Sequence, residues 1–147
     1  MGGRYQFDGN AGGRILACDR PNRLRATWEF GPGPASEVEV RLTPDGDDGT
    51  TLELEHTAIV PDEMWDQFGP GAVGVGWEGG LLGLELHLTG GSVGDPIAWQ
   101  VGDEGRDFNT RASAAWGAAS RAAGADDETV ARNVANTTAF YVPQPEG

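Results

Sequence analysis

The strongest constraint on this chain is a change of period at Pro61. Before it, apolar residues recur at every second position; after it, they recur at helical steps. In "RLRATWEF" Arg23, Arg25, Thr27 and Glu29 alternate with Leu24, Ala26, Trp28 and Phe30. Side chains on a strand point to opposite faces in turn, so this stretch predicts one wet and one buried face. "EVEVRLT" continues the pattern with Val38, Val40 and Leu42 inward, and "TLELEHTA" places Leu52, Leu54, His56 and Ala58 together on one side. "GPGPAS" and "TPDGDDGT" between them are turn sequences, the Asp-Gly pairs suiting hairpins. Shorter strands are expected over 4–8 and 14–18, joined by "GNAGG". The first sixty residues thus predict an antiparallel meander of about five strands with one polar face.

Beyond Pro61, "PDEMWDQF" predicts a short helix. Val73, Trp77, Leu81, Leu84 and Leu88 then line one face of a longer one. Residues 103–122 and 126–140 predict two more helices, with Asp126 and Asp127 placed to cap the second.

The long helix spells a literal G-x-G-x-x-G at Gly74, Gly76 and Gly79. A dinucleotide cradle needs an apolar strand running into the first glycine and a helix opening at the third. "WDQFGPGAV" is no such strand, and the helical stripe already starts at Val73, so the match is accidental. Gly76, Gly80 and Gly83 instead form a second stripe along the helix. Interior glycines cost roughly 1 kcal/mol each against alanine, so the stripe predicts close approach of this backbone to another element, with the sheet as the expected neighbour.

Charge narrows the partners. Ten arginines and no lysine face 23 carboxylates, for a formal net charge of -13; this disfavours nucleic acid and anionic membrane surfaces. No run is long and apolar enough for a membrane span, and the first residues lack the apolar core of a signal peptide. A cytoplasmic protein is expected. Cys18 is the single cysteine, which excludes an internal disulfide and a cysteine metal cluster; no metal and no cofactor is expected.

Individual residues carry little catalytic signal. His56 shares the inward face with Leu52 and Leu54, where it serves either as a polar group of a cavity or, the better reading, as a hydrogen-bonded core histidine. His87 suits a helix C-terminus. Cys18 reads as a small buried hydrophobe, and Trp28, Trp65 and Trp77 as core-filling bodies. Asp45, Asp47 and Asp48 read as a solvated hairpin tip rather than a calcium loop, because the spacing of the distal glutamate is wrong.

"GGRYQFDGNAGGRILACDRPNRLRATWEF", "SEVEVRLTPDGDDGTTLELEHTA" and "GVGWEGGLLGLELHL" together resemble the activator of heat shock protein 90 ATPase homologue branch of the START-like, helix-grip superfamily, over about residues 2–88. Residues 90–140 resemble an extra helical tail of some actinobacterial-type, and hence bacterial, members. The resemblance implies an α+β fold: an antiparallel sheet wrapped around a long C-terminal helix, with an apolar cavity between them. The cavity lining it implies is Trp28, Phe30, Val40, Leu54 and His56 from strands, and Trp77, Leu81 and Leu84 from the helix. Family members begin with a strand and two small helices for which this sequence has no counterpart. The resemblance runs undiminished to Gly2, as though cut by a start codon assigned too late. The expectation is therefore an N-terminally truncated grip domain over 1–89, carrying a helical C-terminal extension over 90–147. Its open edge and apolar surface would favour self-association.

Two functions follow from the resemblance. One is a module binding a small apolar ligand, without evident catalysis because no nucleophile–base pair or metal set stands out. The other is a protein-interaction module of the co-chaperone type.

Overall fold

A computed structural model describes residues 2–143. The chain divides into two compact units, one ending at Val60 and one beginning at Pro61, at the point where the sequence changes period.

The first unit is a single five-stranded sheet of β1 (Arg4–Gln6), β2 (Gly12–Asp19), β3 (Arg23–Trp28), β4 (Ser36–Asp45) and β5 (Gly49–Thr57), in sequential antiparallel order. Its register confirms the alternation. Ala26 lies opposite Val38 and Val38 opposite His56, while Leu24, Val40 and Leu54 form the next row and Leu42 faces Leu52. A bulge between Ile15 and Ala17 interrupts β2, so Ile15 faces Ala26 while Cys18, rather than Ala17, faces Leu24.

The opposite face is a lattice of ion pairs. Arg23 bonds Glu39 at 2.8 Å, Arg41 reaches Glu39 at 2.6 Å and Glu55 at 3.5 Å, and Arg25 pairs with Glu37. Glu39 lies directly opposite Glu55, a like-charge contact that would be unfavourable alone. Arg41 offsets it by contacting both. The Arg23 hydrogen bond, aided by both arginine charges, holds the Glu39 carboxyl below the usual carboxylate range.

The second unit contains α1 (Asp62–Phe68), α2 (Gly71–Thr89), α3 (Pro96–Val101), α4 (Asp103–Ala122) and α5 (Asp127–Tyr141). Asp126 caps α5 by accepting the Thr129 N–H at 2.9 Å. His87 lies in the last turn of α2, as its dipole favours. The sequence reading missed α3. Its signal is Asp95, whose carboxylate accepts from the N–H groups of Ile97 and Ala98, followed by Pro96 in the first turn.

Small and polar residues build the contacts of this unit. Ser113 and Thr137 are fully buried and Asn109 and Asn133 nearly so. A side chain on Gly74 would collide with the Trp116 indole, one on Gly117 with Val134, and one on Gly71 with Thr137. The glycines that permit close approach are thus Gly71 and Gly74 on α2, which meet α5 and α4. Within the helical unit a Cβ at Gly80 or Gly83 meets nothing, and one at Gly76 meets only the Tyr141 hydroxyl, at 3.4 Å. Packing inside the helical unit therefore rests on Gly71 and Gly74 rather than on Gly76, Gly80 and Gly83, because contact there depends on which face the Trp116 indole covers.

α5 also closes the end of α1. The last carbonyls of a helix have no intrahelical partner. Asn133 donates to the Asp66 carbonyl at 2.8 Å, Asn136 to that of Gln67 at 2.9 Å and Thr137 to that of Phe68 at 3.3 Å. Arg132 adds a second bond to Asp66, and Tyr141 donates to the Ala72 carbonyl at 2.6 Å.

Two further expectations need correction. Cys18 is exposed, because it sits near the end of β2 beside the turn. Trp65 is about half exposed on the short α1, which buries none of its residues completely.

Candidate aromatic site on the sheet

Four rings gather at one end of the sheet's apolar face. The Trp28 ring centre lies 5.9 Å from Phe7, 6.4 Å from Tyr5 and 6.3 Å from His56, and Tyr5 meets Phe7 edge-on at 5.4 Å. The fold accounts for the gathering. Tyr5 pairs with Gly13, whose missing side chain leaves room at the Thr27 carbonyl, and Tyr5 donates its hydroxyl proton to that carbonyl at 2.6 Å. Burial holds the Tyr5 phenol above its ordinary value, with the Glu29 charge adding to the effect.

Ser36 links the strands at this end. Its hydroxyl donates to the Trp28 carbonyl at 2.9 Å, and His56 Nε2 lies 2.8 Å from the same oxygen. A serine has one proton to donate. With that proton on the Trp28 carbonyl, His56 Nε2 is the donor to Ser36, so the ring is the Nε2–H tautomer. Burial lowers the His56 pKa and favours this neutral form. A histidine that activates serine must accept its proton; here the hydrogen bond runs the other way, and the pair serves as a polar clip between β4 and β5.

The expected site residues separate by element. Trp28, Val40, Leu54 and His56 share the apolar face of the sheet. Phe30 falls beyond the end of β3 and is 69% exposed. Trp77, Leu81 and Leu84 are on α2, Trp77 half-buried and the two leucines a little over one-third exposed. Sequence reading did not select Tyr5, Phe7 or Ser36. The alternation of Tyr5 in β1 with Phe7 just beyond its end is the available signal, whereas nothing local marks Ser36 as the partner of a histidine 20 residues on.

A separate open groove of about 590 Å³ runs along α4 and α5, lined by Arg106, Thr110, Thr138 and Val142 among others. Arg106 donates to the Pro143 carbonyl there, at 2.8 Å. Among the described residues, no cluster of three or more His, Cys, Asp or Glu is placed to hold a metal ion, and no helix is long and apolar enough to cross a membrane. Gly74, Gly76 and Gly79 lie inside α2, with the Gly74 N–H bonded to the Pro70 carbonyl. That arrangement is not a phosphate cradle, which would sit where a helix opens after a strand.

Comparison with known proteins agrees with this architecture. The crystal structure of CalU16 from Micromonospora echinospora matches at 36% identity and a TM-score of 0.59, over 80% of this chain and 62% of CalU16. The solution structure of the same protein matches at 35% identity and 0.59, over 81% and 65% respectively. The chain thus spans a little under two-thirds of the length of these structures. Its five-stranded antiparallel sheet and five helices form an α+β fold consistent with the helix-grip type. None of the curated proteins compared matches it. The family model described as Activator of Hsp90 ATPase homolog 1-like protein matches residues 1–88, and the chain belongs to that family.

Proposed function

We propose that the protein binds a small apolar molecule on the apolar face of its sheet, where Trp28, Val40, Leu54 and His56 would contact it. The observation that carries this reading is the aromatic end of that face. Tyr5, Phe7 and Trp28 offer apolar ring surface, and the neutral His56 supplies one polar group there, the combination typical of small-molecule sites. The resemblance adds Trp77, Leu81 and Leu84 of α2 as candidates for ligand contact. On this reading residues 1–89 are a partial helix-grip domain and 90–147 a helical extension packed on it through α2. The direction of the His56–Ser36 bond favours binding over hydrolysis, and a cytoplasmic role suits the acidic composition.

Native mass spectrometry of the purified protein after exposure to a mixed apolar library tests the proposal. A bound species that disappears in Trp28→Ala supports it, and an empty spectrum across the library contradicts it. A co-chaperone-like role is the second reading, favoured by the half-exposed Met64 and Trp65 and the exposed Phe140. A change in the ATPase rate of purified Hsp90 on adding the protein would support that role.

A further inference from the structure

We draw no further inference here: the strongest candidate, the open groove that Arg106, Thr110 and Thr138 line along α4 and α5, carries none because nothing in the structure shows what fills or covers it.

Discussion

The two units solve the problem of cohesion differently. The sheet separates its chemistry by face, with Ala26, Val38 and Val40 on one side and the Arg23–Glu39–Arg41–Glu55 lattice on the other. The helical unit mixes its chemistry inside. Asn133 and Thr137 of α5 are buried because they satisfy the final carbonyls of α1, and Gly74 and Gly117 let larger neighbours approach helix backbones. A sheet can be built from alternating hydrophobicity alone, whereas this helical unit requires particular pairings between residues far apart in sequence.

The sharpest way to break the comparison is at Trp116, whose ring fills the space left by Gly74. Trp116→Ala should cost about 3–5 kcal/mol, read as a lower urea midpoint. A loss below about 1 kcal/mol would mean that the glycine contact does not organise the unit.

Next in size is the converse substitution. Gly74→Ala should destabilise by about 1–3 kcal/mol through overpacking against the indole, despite alanine's better helix propensity. Gly80→Ala, with open space around its Cβ within the helical unit, should stabilise by up to about 1 kcal/mol. Thermal melts of the two variants should therefore shift in opposite directions. Shifts of the same sign would remove the distinction between the two glycines.

The sheet is tested more gently by pH, because its two faces titrate in separate windows. Burial lowers the His56 pKa from its ordinary value of 6.5, so the unfolded chain takes up that proton more readily than the native one. Stability should fall as pH drops through about 6.5, and His56→Gln should flatten that slope. The Glu39 pKa is lowered from 4.5, chiefly by its bond to Arg23. Its contribution is present above about pH 4.5 and is lost as pH falls through the folded value; Glu39→Gln should remove only this acid step. Melting temperature measured against pH for the three proteins separates the windows, and a slope near pH 6.5 that survives His56→Gln would reassign it.

Much of the sheet is legible in the sequence because period two states the face of each residue directly. Trp28, Val40, Leu54 and His56 fall on one face for that reason alone. The bulge at Leu16 is not legible, since an extra residue changes the face without changing composition, and it shifts Cys18 to the Leu24 row. Phe30 shows the other limit: alternation continues in the letters after the paired strand has ended. In the helices, length and capping are readable from Asp126 and the apolar spacing. Partner choice is not, because Gly74 and Gly80 look alike until the position of Trp116 is known. Ser36 and Asn136 act through hydrogen bonds to distant residues, which leave no local periodic trace.

The central claim, that the apolar face of the sheet binds a small apolar molecule, is tested most directly by a ¹H–¹⁵N NMR titration with phenanthrene as probe. Saturable shifts at the Trp28 indole N–H and at the amides of Val40, Leu54 and His56, abolished by Trp28→Ala in a still-folded protein, are the predicted result. Shifts confined to the α4–α5 groove around Arg106 and Thr138, or none up to the solubility of the probe, would contradict it.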